Sequence, residues 1–372
     1  MKILYIEHAA VYPEEMKKYD HLAGHAGAEI RLVKPSNWND PYRNESTEQR
    51  EHRYEIISAP VMFPGYRHRS FFLKKIAPAI RQFKPDIIHL FDEANTMFAL
   101  QAFILKRVYC PDAKLVFDNF QNILYDRVPY RFAFIYDYAE QQLFRYADAA
   151  TVRYEGSHEF LRHRGYKGPI RIIPWGTDID WFRPQSRPNG EDIFTLGYVG
   201  RIEEDKGIYL LLRAFAELKV SSRLMIVGKG VKADMEKMFS LIDSLGLASR
   251  VDYRGYVNQK ELPQLYAQMD CLVIPTITTN RCKEQFGRVV VEAMACGVAV
   301  IGSRSGAIPY LISDSGIVCQ ENDVADLAAK IGYLAQNPHK RRELGKKGRR
   351  RVESCYSWVS FGRQCHELYK DL

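Results

Sequence analysis

The sequence predicts two doubly wound α/β domains with a ligand-binding cleft between them. Three observations lead there. The 372 residues suit two domains, each long enough to bury its own core. In the first half, apolar runs of strand length alternate with helical patterns, and that order argues for a parallel sheet covered on both faces. The alternation stops at Arg183-Pro184-Gln185-Ser186-Arg187-Pro188-Asn189-Gly190, where two prolines and a glycine mark a linker, and then restarts.

In chain order, residues 2–7, 29–33, 56–59, 86–91, 114–118, 149–153 and 170–174 read as strands because each is a short, apolar-rich run. Residues 71–83, 96–109 and 134–147 between them carry helical periodicity. After the linker, residues 195–199, 223–227, 251–254, 271–274, 299–301 and 316–318 are strand candidates. Helices are expected at 208–218, 231–245, 260–268, 288–295 and 324–336, with a last one over 357–372. Strand carboxyl ends in such folds face the ligand, which focuses attention on the loops after each strand.

Composition narrows the classes. With 46% hydrophobic and 26% charged residues the chain is globular, not disordered or collagenous. No apolar run reaches the roughly 18 residues of a membrane span. The start, Met1-Lys2-Ile3-Leu4-Tyr5-Ile6-Glu7-His8, meets an acid and a histidine too early for a signal peptide, so a cytoplasmic location is expected. Seven cysteines without a C-x-x-C pair argue against a disulfide framework or a zinc site. A net charge of +8 suits phosphate-bearing partners. The basic residues concentrate at Arg67-His68-Arg69 with Lys74-Lys75, and between Lys340 and Arg351. The alternative for both is a solvated helix face. Residues 66–83 also mix cations with Phe71, Phe72, Leu73 and Ile76, as an interfacial membrane helix would.

Four motifs carry possible chemistry. Gly200-Arg201 through Lys206-Gly207 follows the first strand of the second half, placing two cations where a strand's carboxyl end opens. Gly228-Lys229-Gly230-Val231-Lys232-Ala233 fits a dinucleotide-binding G-x-G-x-x-A, or else a tight strand-to-helix turn. Asp178-Ile179-Asp180 is a short acidic pair, read as a packed connection in preference to a cation site. Glu284-Gln285-Phe286-Gly287-Arg288 and Glu292 bracket a helix start, where free N–H groups beside a glycine suit a diphosphate. Glu284 and Glu292 can accept hydrogen bonds from hydroxyls.

Taken in order, Gly200-Arg201, Lys206-Gly207, Gly228-Lys229-Gly230, Arg254-Gly255-Tyr256-Val257 and Glu284-Gln285-Phe286-Gly287 with Glu292-Ala293 resemble the retaining glycosyltransferases of family 4, which have the GT-B fold. The resemblance is strongest over residues 170–360. It implies an acceptor-side domain at 1–182, a nucleotide-sugar domain at 183–356, and a last helix, 357–372, crossing back to the first. It also implies roles. Arg201 and Lys206 neutralise the leaving diphosphate, and Glu284 contacts the transferred sugar. Gly200, Gly228, Phe286, Gly287, Arg288 and Val289 line the donor, Glu292 holds the ribose, and Tyr256 and Val257 lie against the base. No metal or cofactor is required beyond the nucleotide-sugar substrate. On the acceptor side the candidates are His89, Asp92, Glu93, Gln121 and Asn122.

The sequence departs from the family pattern in three places. His8-Ala9-Ala10-Val11 replaces a glycine-rich loop, Phe91 stands where a second histidine is common, and Tyr310 follows Pro309 where an acid is common. The implied activity is transfer of a sugar to a hydroxyl acceptor such as a glycan or lipid-linked molecule, in glycan or polysaccharide synthesis. The alternatives are a non-catalytic nucleotide-sugar binder and a dinucleotide oxidoreductase. Nucleic acid is the weakest candidate partner, because the basic residues lack interleaved aromatics.

Overall fold

Two parallel sheets carry the fold, one in each of the units into which the chain divides: Met1–Gly176 with Trp358–Leu372, and Thr177–Ser357. The computed structural model describes residues 1–24, 27–39, 52–73, 76–124, 132–187 and 193–372. Lys74, Lys75 and the Pro188-Asn189-Gly190 end of the expected linker lie outside them.

The first unit runs β1 (Lys2–Ile6), α1 (Pro13–Ala23), β2 (Glu29–Pro35), β3 (Glu55–Ala59), β4 (Val61–Met62), β5 (Phe71–Phe72), α2 (Ile76–Phe83), β6 (Ile87–Leu90), α3 (Met97–Tyr109), β7 (Lys114–Asn119), α4 (Ala133–Tyr146), β8 (Ala149–Val152), α5 (Glu155–His163) and β9 (Ile170–Ile172). Its seven-stranded sheet has the order β3-β2-β1-β6-β7-β8-β9. Lys2 stands opposite Glu29 on one side, and Ile3 opposite Ile87 on the other. Every residue of β6 and β8 is buried, as expected for strands covered on both faces. Thr96 caps α3 by accepting from the Ala99 N–H at 3.1 Å.

Residues 71–83 do not form one helix. Phe71 and Phe72 pair antiparallel with Met62 and Val61, and the Gln101 side chain bonds both the N–H and the carbonyl of Phe72 at 2.8 Å. Among the described residues the helix covers only Ile76–Phe83, with Pro78 inside it. Phe72, Ile76, Ile80 and Phe83 all enter the core, so the apolar face expected to meet a membrane is already covered.

The second unit runs β10 (Phe194–Val199), α6 (Ile208–Ala216), β11 (Ser222–Val227), α7 (Lys232–Ser244), β12 (Val251–Gly255), α8 (Leu262–Tyr266), β13 (Cys271–Ile274), α9 (Arg288–Ala295), β14 (Ala299–Ser303), α10 (Ile308–Ile312), β15 (Ile317–Cys319), α11 (Val324–Gln336) and α12 (Pro338–Cys355). Its strand order is β12-β11-β10-β13-β14-β15, all parallel. The unit begins six residues before the expected boundary at 182. Thr177 donates to the Tyr356 carbonyl at 2.7 Å, and the Arg349 guanidinium holds the carbonyls of Ile179 and Phe182.

The last helix, α13 (Trp358–Lys370), belongs to the first unit. Phe361 stacks on Trp175, and Tyr369 bonds both His89 and Tyr5. Beside them Lys18 is fully buried, 2.6 Å from Glu7 and 3.4 Å from Glu15, with its ammonium over the Trp175 and Phe91 rings. Burial raises the Glu7 carboxyl above its usual value against the pull of Lys18. Arg153 is likewise buried, bonded to Asp118 and to the Ile173 carbonyl. All seven cysteines are free, five of them buried.

Lys18→Met should destabilise the protein by about 3–5 kcal/mol, because it strands Glu7 and Glu15 without their cation. Urea unfolding measures this, and a loss under about 1 kcal/mol contradicts the role given to the pair.

Candidate functional site

In the second unit the strand order reverses beside β10, whose neighbours β11 and β13 lead off in opposite directions. Ligands of doubly wound sheets bind at that reversal, outside the strand carboxyl ends. The loop after β10 carries Gly200, Arg201 and Lys206, and the loop after β13 carries Glu284 to Gly287. The structure brings the two loops together. Lys206 Nζ lies 3.0 Å from Glu284 Oε2, and the Thr276 hydroxyl donates to the same oxygen at 3.3 Å. Burial pulls the Lys206 ammonium down, but the Glu284 carboxylate outweighs it and leaves Lys206 above its usual value.

The backbone of Glu284 is fixed from the loop after β14. Its carbonyl accepts from the Ala307 N–H at 2.9 Å, and its N–H donates to Ser305 Oγ at 3.3 Å. Gly306, at φ +51°, lies so close to the Glu284 carbonyl that a Cβ would collide with it. Gly287 is the N-cap of α9 in the left-handed region, φ +78°. As a glycine it offers no side-chain acceptor to the first amides of the helix, so the N–H groups of the α9 N-terminus suit an anion. Phe286 is buried against Tyr356, while Arg288 and Val289 are half-buried.

Glu292 is 4% exposed, and both of its oxygens are engaged. Gln259 Nε2 donates to Oε1 at 2.8 Å, and the Tyr266 hydroxyl donates to Oε2 at 3.1 Å. These two bonds fix the carboxylate, an acceptor-only group, in one orientation. Tyr256 is exposed after Gly255, with the Lys229 ammonium 5.1 Å from its ring centre, and Val257 beside it is half-buried.

Arg201 is the outward member of the set. Its guanidinium is about half exposed and pairs with Glu203 at 2.9 Å. Gly228 and Gly230 have a structural explanation. The loop after β11 runs along residues 200–202, with Gly200 and Ile202 donating to the Val227 and Lys229 carbonyls, each at 3.0 Å. A Cβ on Gly228 or Gly230 would strike the Gly200 or Ile202 carbonyl, so close backbone packing accounts for this G-x-G. Asp178 Oδ1 accepts from the N–H groups of Asp180 and Trp181, which makes that acidic pair a turn.

The first unit has its own reversal, between β1 and β6. There Asp92, 1% exposed, receives Arg67 Nε at 2.9 Å and pairs with His8 Nδ1 at 2.9 Å. Glu93 joins through Arg67 Nη2 at 3.5 Å, and Gln121 Nε2 donates to it at 3.2 Å. Asn122 is buried and donates to the Tyr154 hydroxyl at 2.9 Å. His89 leaves the candidate set, because it is fully buried. Its Nδ1 shares a 2.5 Å hydrogen bond with Tyr369, and its Nε2 lies 3.7 Å from the Asp118 carboxylate. Burial lowers its pKa, leaving a neutral ring beside Phe91.

Sequence reasoning missed Gln259, Tyr266, Thr276 and Ser305 as partners of the two glutamates, since no short motif links them. The position of His8 at a strand's carboxyl end was the available signal for its contact with Asp92.

A family model described as Glycosyltransferase Family 4 matches residues 20–181, and one described as Glycosyl transferases group 1 matches residues 179–351. The chain belongs to the family 4 glycosyltransferases. Among curated relatives, a D-inositol 3-phosphate glycosyltransferase of Corynebacterium jeikeium is 29% identical, over 63% of this chain and 59% of its own length. This chain spans about half the length of the curated relatives it matches. Sucrose-phosphate synthase from Thermosynechococcus elongatus superposes with a TM-score of 0.75 at 20% identity, covering 100% of this chain and 98% of that one. HepE of Anabaena, solved with UDP, gives 0.75 at 19% identity over 100% of both chains. At these identities the likeness establishes the fold, which is GT-B.

Burial alone would raise the Asp92 carboxyl, but Arg67 and His8 outweigh it and hold Asp92 well below the usual carboxylate range. A depressed folded value gives stability that is present above the unfolded pKa, about 3.9, and lost as pH falls below it. Asp92→Asn should therefore cost about 1–3 kcal/mol near pH 7, with the gap to wild type closing below about pH 4. Urea titrations of both proteins at neutral and acid pH check this, and a gap independent of pH contradicts it.

Proposed function

We propose that this protein is a retaining glycosyltransferase that moves a sugar from a nucleoside-diphosphate donor to a hydroxyl acceptor, without a metal ion. One observation carries the reading. Lys206, Glu284 and the glycine-capped N-terminus of α9 meet at the strand-order reversal of the second unit. A diphosphate on the α9 amides would take the place of Glu284 as the counter-ion of Lys206. Glu284, released, would then accept from a hydroxyl of the transferred sugar. Arg201, half exposed on the neighbouring loop, would swing from Glu203 to the phosphates. Cations and helix amides aimed at the leaving group stabilise charge as it develops, which is the role a metal would otherwise fill.

Glu292 would accept from the ribose hydroxyls, with Gln259 and Tyr266 fixing its orientation. In a retaining transfer the acceptor attacks on the face that the diphosphate leaves, and a phosphate oxygen takes the acceptor proton. Asp92, Glu93 and Gln121 remain the candidates for acceptor contacts in the first unit. HepE of Anabaena was solved in complex with UDP, which supports a nucleoside diphosphate as the ligand class here.

Turnover with a panel of nucleotide sugars, read by proton NMR of the product, tests the proposal. Product of the same anomeric configuration as the donor, formed in the presence of chelator, is the expected result. An inverted product or a strict need for Mg²⁺ or Mn²⁺ contradicts it, and affinity without transfer returns the chain to a binding role.

Glu292→Ala should weaken donor binding about ten- to a hundredfold, the loss of a charge-assisted contact of about 1.5–3 kcal/mol. Tyr266→Phe should weaken it by about two- to tenfold, with turnover at saturating donor unchanged. Calorimetry with nucleoside diphosphates measures both. Arg201→Met and Lys206→Met should lower kcat more than donor affinity, because they act on charge that grows in the transition state. Unchanged kcat in both variants would make them surface charges.

A further inference from the structure

Helix α12 has more cations than the second unit uses. Several are engaged internally. Arg341 holds the Leu334 and Ala335 carbonyls, Arg349 those of Ile179, Phe182 and Ala295, and Arg351 those of Tyr310 and Leu311. Lys340 and Lys347 pair with Glu343, and Lys347 also with Asp314. Arg342, Lys346 and Arg350 are left. All three are exposed and have no carboxylate partner among the described residues, and Arg342 touches only His339, at 3.4 Å.

Their spacing is i, i+4, i+8, so they form one row about 12 Å long on a single face. Two successive like-charge i, i+4 pairs destabilise a helix, and the nearby acids Glu343 and Glu353 are taken by Lys340, Lys347 and Arg349. No acidic residue occupies the first turn to offset this. Among the described residues no carboxylate offsets the row, so it presents open positive charge on an exposed face.

We propose that this face of α12 docks on an acidic phospholipid surface. A straight row of long, mobile point charges matches a laterally uniform charged plane and reads charge density more than shape. The helix carries no aromatic residue between the cations, so it lacks the stacking platforms of a nucleic-acid groove. The inference is independent of the donor-site reading and uses none of its residues. Three cations near such a surface, at about fivefold each, strengthen partitioning roughly a hundredfold.

Co-sedimentation of the full chain with vesicles of phosphatidylcholine plus phosphatidylglycerol, and of phosphatidylcholine alone, tests it. Binding is expected only to the acidic vesicles, weakening as salt rises. Combined Arg342→Gln, Lys346→Gln and Arg350→Gln should lower it about a hundredfold with no loss of thermal stability. A control triple of exposed cations elsewhere, Lys167→Gln, Lys219→Gln and Lys232→Gln, should change it by less than about fivefold. No binding to acidic vesicles, equal loss in the two triples, or α12-dependent retention of duplex DNA in place of vesicles overturns the proposal.

Discussion

Each sheet reverses its strand order beside its first strand, and the chemistry of both units depends on that constraint. Parallel strands need crossover helices, and crossovers leaving in opposite directions pull two loops apart at the strand carboxyl ends. Beside β10 the loops at that crevice bring the N-terminus of α9 and the Lys206 ammonium together. Beside β1 lies a buried carboxylate pair, Asp92 and Glu93, balanced by His8 and Arg67. The same topology therefore presents opposite electrostatics. The seam in the second unit pairs a lysine with a helix N-terminus, whereas the seam in the first holds two paired carboxylates.

Net charge says little about where either seam lies. Lys18 and Arg153 are buried cations that pack against Trp175 and pair with Glu7 and Asp118, out of reach of solvent. Arg341, Arg349 and Arg351 close helix ends and loops by binding carbonyl oxygens. Lys206 differs from all of these because it keeps about a fifth of its side-chain surface open and pairs with one carboxylate, Glu284. Arg201 is more open still.

Most of the fold was legible in the sequence because parallel strands buried on both faces are short unbroken apolar runs. Strand β13 and helices α9 and α11 fall where periodicity puts them. Helix α10 was missed because five residues are too few to show a period. The β4–β5 pairing was missed because two-residue strands show no period and Phe72 is held from outside by Gln101, 29 residues away. At the site, the loops with Lys206, Glu284 and Gly287 were legible through glycines and charges clustered at strand ends. The partners of Glu292 were not, since Gln259 and Tyr266 stand 33 and 26 residues away and look like ordinary helix residues. His89 misled for a related reason. A histidine near a strand end looks functional until its neighbour in the fold, Tyr369, is known to lie 280 residues along the chain.

The central claim is that the α9 N-terminus and Lys206 together receive the donor diphosphate. A crystal structure of the second unit's site within the full chain, bound to a nucleoside diphosphate, tests this most directly. The account predicts phosphate oxygens within hydrogen-bond distance of the α9 amides at Gly287 and Arg288, and of Lys206 Nζ. It also predicts that the Lys206–Glu284 contact, 3.0 Å without ligand, has opened. A diphosphate bound elsewhere, or one bound with Lys206 still paired to Glu284, would contradict it.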